Sequence, residues 1–165
     1  MSAKNYTISI LLALSGILLT LLIPGGSIEN RDFSHIDPTI LVSFNIFLTI
    51  LGLGSFILAF YTLSRSRVSY WLALLSAISY FVVYAIDLYQ IFPQSPTPMS
   101  SALLLIELLG VLVAIPLIYV TATMIFDDEE RDSASSFFIN QWWMLGLGIL
   151  GTIIVLFATN AAMGG

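Results

Sequence analysis

Two carboxylic acids, Asp87 and Glu107, stand inside long apolar stretches of this 165-residue chain. Removing a carboxylate from water is costly, and insertion scales put a central Asp at about 2.5–3.5 kcal/mol. Two carboxyl groups in one apolar layer cannot both ionise cheaply, so we expect either a proton shared between them or a cation bound by both. The pair is therefore the first candidate for chemistry, as a site for a proton, a cation or a small polar ligand.

Three more polar residues are expected to lie in the same layer. At 1.5 Å rise per helical residue, Asn45, Asp87 and Glu107 fall about 7–11 Å below one boundary of their apolar segments. Helical spacing places Tyr80 and Tyr84 on the face of Asp87, where their hydroxyls could supply hydrogen bonds. Water reaches this shallow depth, so the interpretation we favour is that these groups only fix helix packing. A site, or contact with another subunit, is the alternative.

An acidic run follows the fourth apolar stretch and contains Asp127, Asp128, Glu129 and Glu130. It is the one dense run of charge in the sequence, and it could bind a basic partner protein. A solvated loop is the simpler interpretation. We keep these four residues as candidates for partner docking.

Motifs for catalysis or metal binding do not occur in the sequence. There is no cysteine, and the one histidine, His35, lies near Glu29, Asp32 and Asp37 in a spacing that matches no metal motif. Phosphate-binding loops, nucleophile–base arrangements and zinc-protease motifs are also missing. We therefore expect no enzymatic activity, no cofactor and no metal.

The amino-acid composition indicates which kind of protein contains these residues. The chain is 58% hydrophobic and 9% charged, with 10 acidic residues against 5 basic ones and a net charge of −5. A soluble domain carries about a quarter charged residues, so too few are present here to cover a soluble globule. The same numbers exclude a disordered tail and, because no basic patch exists, a nucleic-acid-binding protein.

Five apolar runs are each long enough to cross a bilayer about 30 Å thick. They predict an all-α integral membrane protein, a single domain in which five transmembrane helices form a bundle, because the runs lack the alternation of barrel strands. The first run is longer than the apolar part of a signal peptide, so we expect a retained helix instead of a cleaved one. The predicted helices span residues 6–23, 39–63, 68–92, 100–126 and 142–163.

Basic residues in the short loops predict the orientation. With the N-terminus inside, the cytoplasmic side receives four of the five basic residues, namely Lys4, Arg65, Arg67 and Arg131. Only Arg31 then lies outside. The prediction is a multi-pass protein of the cell membrane with its N-terminus inside and its C-terminus outside.

Two functions from different classes are compatible with this sequence. The first, which we prefer, is a non-catalytic accessory or scaffold subunit of a larger membrane assembly. Its partners would be the lipid bilayer, other membrane subunits or further copies of itself. The alternative is a compact carrier or sensor that binds a proton, cation or small polar ligand at the outer-leaflet carboxylate cluster.

Overall fold

Five α-helices make up most of the chain in a computed structural model, which describes residues 3–64, 66–127 and 141–164. No β-strand occurs in these ranges, so the predicted all-α class and the number of helices are confirmed. All five are long and apolar enough to span a membrane. The helices are α1 Ala3–Thr20, α2 Pro38–Thr62, α3 Arg67–Leu88, α4 Ser101–Asp127 and α5 Gln141–Ala162.

The helix ends differ from the prediction where local backbone chemistry overrides the apolar pattern. Helix α1 ends at Thr20 instead of residue 23, and α3 ends at Leu88 instead of residue 92. The backbone after α3 turns at Gln90, whose φ is +53°, a left-handed conformation that no α-helix contains. Hydrophobicity continues past this point, so a pattern based on hydrophobicity alone predicts too long a helix.

Helix α2 begins at a sharp and chemically defined point. The carboxylate of Asp37 accepts a hydrogen bond of 2.8 Å from the backbone N–H of Thr39, and Pro38 occupies the first helical position. Both features are typical of helix N-termini. The backbone hydrogen bond from Thr39 lowers the pKa of Asp37, since it stabilises the charged form.

Helices α1 to α4 form the bundle, and α5 lies at its edge. In the described residues, α3 packs along α4, α1 packs on α2 and α4, and the backbone of α5 approaches that of only one helix, α2. Residues 21–37 and 89–100 connect the helices at one end, which we call the loop end. Bulky apolar side chains such as Ile10, Leu75 and Leu112 cover the outside of the helices.

The buried charged residues of the described chain lie near the loop end. Away from it, Ile8, Leu12 and Leu117 are fully buried among small residues of α3, and the polar residues buried there are uncharged. Nearer the loop end, Tyr80 and Tyr84 are buried with Leu51 and Ala114. The end of the bundle beside the loops is therefore the part that holds the candidate residues of α3 and α4.

Candidate functional site: an arginine between three carboxyl groups

The loop between α1 and α2 brings a cation into the bundle. Gly25 opens this loop with φ +82°, a conformation that favours glycine, and its N–H donates to the carbonyl of Glu29 over 3.0 Å. Further along, the N–H of Phe33 donates to the carbonyl of Ala162 at the end of α5. These bonds hold the loop over the bundle, and they direct Arg31 inward.

The guanidinium of Arg31 binds two carboxylates at once. Its Nη1 and Nη2 donate to Oδ1 and Oδ2 of Asp87, each over 2.8 Å, which is the bidentate geometry that arginine makes with carboxylates. Its Nε donates to both oxygens of Glu29, over 3.0 and 3.1 Å, and Nη2 also donates to Glu29. Arg31 is only 5% exposed, so these bonds replace most of its hydration.

Glu107 is the third carboxyl group of the site, and it lacks a hydrogen-bond donor. Its side chain is 0% exposed, and its Oε1 lies 3.9 Å from Nη2 of Arg31, beyond hydrogen-bond range. Among the residues that the structure describes, neither of its oxygens has a hydrogen-bond partner, and the buried hydroxyl of Tyr84 has none either. Two buried polar groups are therefore unsatisfied beside a strong ion pair, which is costly unless something else binds them.

A small cavity lies against this cluster. It has a volume of about 40 Å³, and the polar residues that line it are Glu29, Arg31, Tyr84 and Asp87. A water molecule needs roughly 10–15 Å³ of such space and at least two polar partners, so the cavity could hold a few waters. Its other walls are apolar, and Phe33 and Phe44 belong to them.

The charge of Arg31 is fixed by these neighbours. Burial acts to lower its pKa, but the hydrogen bonds and the charges of Asp87 and Glu29 outweigh burial and raise it. The guanidinium therefore stays positively charged, as arginine does in proteins generally. With Glu29, Asp87 and Glu107 all ionised, the four side chains would carry more negative than positive charge.

The other predicted residues of the layer have partners elsewhere. The hydroxyl of Tyr80 donates to Oγ of Ser55 over 2.9 Å and also contacts the carbonyl of Leu51 at 3.3 Å. Nδ2 of Asn45 donates to Oγ1 of Thr159 over 3.0 Å, which links α2 to α5. The structure thus brings Tyr84, Asp87 and Glu107 together around Arg31, and it places Tyr80 and Asn45 in helix–helix contacts.

Sequence reasoning missed the roles of Arg31 and Glu29. It used Arg31 only to decide the orientation, and it named Glu29 only as a neighbour of His35, although both Arg31 and Glu29 are buried. The sequence did contain one usable signal. Arg31 is the one basic residue on the predicted outer side, where Asp87 and Glu107 need a cation. Fifty-six positions separate Arg31 from Asp87, so sequence spacing gave no reason to pair them.

The acidic docking candidates lie outside what the structure describes. Asp128, Glu129 and Glu130 fall between the described ranges, and Asp127 is described only as the backbone end of α4. His35 and Asp32 are exposed in the 21–37 loop. Within residues 3–64, 66–127 and 141–164, no group of three or more His, Cys, Asp or Glu side chains could hold a metal ion.

Comparison with known proteins gives one match. No curated protein and no solved structure matches the chain. A family model described as "Domain of unknown function (DUF8051)" matches residues 4–136, a range that contains α1 to α4 and ends before α5 begins. Because this range covers most of the sequence, the chain belongs to the DUF8051 family.

Proposed function

We propose that this protein is a non-catalytic accessory or scaffold subunit of a larger assembly in the cell membrane. In this proposal its N-terminus is cytoplasmic, its C-terminus is outside, and a helix of a partner subunit packs beside α5. The observation that carries the proposal is an open, glycine-bearing groove between α2 and α5.

The groove has the composition of a helix–helix contact that lacks its second helix. Gly54 of α2 and Gly148 of α5 line it, and a Cβ atom added to either would meet nothing within 4 Å. Gly146 on α5 is equally open. Small residues are enriched where membrane helices approach each other, whereas surfaces that face lipid are mostly built from larger apolar side chains.

The position of α5 supports the same proposal. This helix packs on α2 alone among the described helices, and it lies outside the residues that the family model matches. Within residues 145–162, most of its large apolar side chains, including Ile149 and Leu156, are exposed. An edge helix with this much uncovered surface is suited to hold a partner helix.

The Arg31 cluster favours the accessory role over the carrier or sensor alternative. In its cation-binding form, that alternative needs Asp87 and Glu107 to receive a cation from outside the protein. Arg31 is such a cation, and it already binds Asp87. The ion pairs of Arg31 then serve a structural purpose, because they attach the 21–37 loop to α3.

Cysteine crosslinking in the native membrane tests the proposal, because the natural chain contains no cysteine. We expect Gly148→Cys and Gly54→Cys to give a crosslinked product of higher mass with a short bifunctional thiol reagent or on oxidation. Mass spectrometry of the product then distinguishes a second copy of this chain from a different subunit. The matched control is Leu75→Cys, whose position is 62% exposed on α3, a helix whose backbone does not approach α5 in the described residues.

A second variant tests whether the contact matters for assembly. Gly148→Trp fills the groove without meeting an atom of its own chain at the Cβ position, so the protein should still fold. We expect it to lose the partner during purification in mild detergent, whereas Leu75→Trp should keep it. Equal crosslinking at residues 148 and 75, with no defined product, would contradict the proposal.

A further inference from the structure

The buried carboxyl of Glu107 has a role that the accessory function does not explain. We propose that Glu107 is a proton-binding site, which holds its proton in the native fold beside Arg31 and Asp87. The proposal does not depend on the accessory function. It depends on the geometry around this one side chain.

Arg31 cannot satisfy Glu107 as the structure stands. Its Nε, Nη1 and Nη2 all donate to Glu29 or Asp87, and the closest of them to Glu107 is 3.9 Å away. An ionised Glu107 would thus be a fully buried charge with no donor on either oxygen. Such a charge costs far more than a neutral carboxylic acid at the same place.

Asp87 is the group that a protonated Glu107 can bond. Nη2 of Arg31 lies 2.8 Å from Oδ2 of Asp87 and 3.9 Å from Oε1 of Glu107, so the two carboxyl groups are close neighbours. Two ionised carboxylates are both acceptors, so a hydrogen bond between them exists only when one carries a proton. Both oxygens of Asp87 already accept hydrogen bonds from Arg31, whereas those of Glu107 accept none in the described residues, so we place the proton on Glu107.

No other titratable group of the described residues competes for this role. The loop contributes Glu29 and Arg31, which bind each other. Helix α3 contributes Tyr80, Tyr84 and Asp87, and the two tyrosines are neutral acids. The remaining titratable loop residues of the described chain, Asp32, His35, Asp37 and Tyr89, are exposed. Lys4 and Tyr6 are also exposed, and they lie at the start of α1, the end opposite the loops. Tyr61 lies at the last turn of α2, also opposite the loops.

Loss of the proton would have a defined structural consequence. An ionised Glu107 would attract the guanidinium, which would have to share its donors among three carboxylates. The bonds from Arg31 to Asp87 would weaken, and these bonds tie the 21–37 loop to α3. Protonation of Glu107 thereby controls how firmly the loop is attached to the bundle.

Infrared difference spectroscopy tests the proposal on the full chain in detergent or lipid. The parent protein should show the C=O stretch of a protonated carboxylic acid at neutral pH, and Glu107→Gln should lack it. Glu107→Asp should retain the band at a shifted frequency. This variant still tests the assignment of the band if Glu107→Gln does not fold. Glu29→Gln is the matched control, since it removes a buried but ion-paired carboxylate and should keep the band.

The pH dependence of unfolding gives an independent readout. A proton that is bound in the native state and released on unfolding makes the folding equilibrium constant fall as pH rises, by up to about tenfold per pH unit. This fall should be present in the parent and reduced in Glu107→Gln. A parent without the infrared band at neutral pH, or a band that survives in Glu107→Gln, would overturn the proposal. The proposal would also be overturned if the band disappears when choline is replaced by sodium at constant pH, because Glu107 would then bind a metal cation instead of a proton.

Discussion

Replacement of Arg31 by methionine is the most direct test of the cluster at the loop end. Methionine keeps an unbranched apolar chain that can still pack beside Phe33, whose ring centroid lies 5.2 Å from the guanidinium carbon. It removes the charge and every donor of the side chain. Glu29 and Asp87 would then lose the cation that both of them bind.

The expected loss of stability follows from burial and geometry. Removing one partner of a buried ion pair costs about 3–5 kcal/mol, because the remaining charge stays buried without compensation. The carboxylate of Asp87 retains 14% exposure, so water can solvate part of the uncovered charge. We therefore expect the lower end of the range, about 3 kcal/mol, which is roughly a hundredfold in the folding equilibrium constant.

Reversible unfolding in mild detergent, followed by circular dichroism, measures this loss. Arg67→Met is the matched control, because Arg67 is exposed at the first turn of α3. An exposed substitution of this kind should change stability by no more than about 0.5 kcal/mol. The difference between the two variants isolates the buried cluster from the general effect of removing an arginine.

A double-mutant cycle with Asp87→Asn shows whether the ion pair itself is responsible. Asp87→Asn should destabilise the parent, because Arg31 loses its bidentate acceptor. In the Arg31→Met background the same change should be neutral or stabilising, because it removes an uncompensated charge. The reasoning is refuted if Arg31→Met costs less than about 1 kcal/mol, or if Asp87→Asn has the same effect in both backgrounds.

Two further substitutions test the packing around the site, each by the same unfolding measurement. In Gly110→Ala the new Cβ would lie 2.4 Å from the ring of Tyr84, so we expect the free energy of unfolding to fall by about 1–3 kcal/mol. The control Gly146→Ala, whose Cβ meets no atom, should be neutral or slightly stabilising. Equal effects of the two variants would show that α3 and α4 do not pack closely at Gly110. Asn45→Ala removes the hydrogen bond to Thr159 and should cost about 0.6 kcal/mol, up to about 1.7. The exposed Asn160→Ala is its control, and a loss as large in Asn160→Ala would mean that the bond does not hold α5 to α2.

The location of the helices could be predicted from the sequence because the determinants are local. A helix in an apolar surrounding needs a run of about 20 apolar residues, and that property is readable at each position along the chain. The inward position of most candidate residues was also readable, since Asn45, Tyr80, Tyr84 and Glu107, which helical geometry places in one layer, are all buried. The helix ends were less predictable, because Thr20 and Leu88 end their helices inside hydrophobic stretches.

The composition of the candidate site was only partly readable. The presence of Asp87 and Glu107 in apolar segments indicated a need for a proton or a cation, and that need follows from the cost of burying charge alone. The identity of the cation did not follow. Arg31 reaches Asp87 only because the 21–37 loop folds back over the bundle, and the bonds that hold this loop come from Gly25 and Phe33.

Hydrophobic length and helical period were thus enough to predict a five-helix protein with a few polar groups turned inward, since both act on neighbouring positions in the chain. The tertiary structure alone decided that Arg31 lies between Glu29 and Asp87, that Glu107 is left without a donor, and that α5 packs at the edge on α2. These are contacts between groups far apart in the chain. Their formation depends on how complete helices and a folded loop fit together in space, which no local pattern encodes.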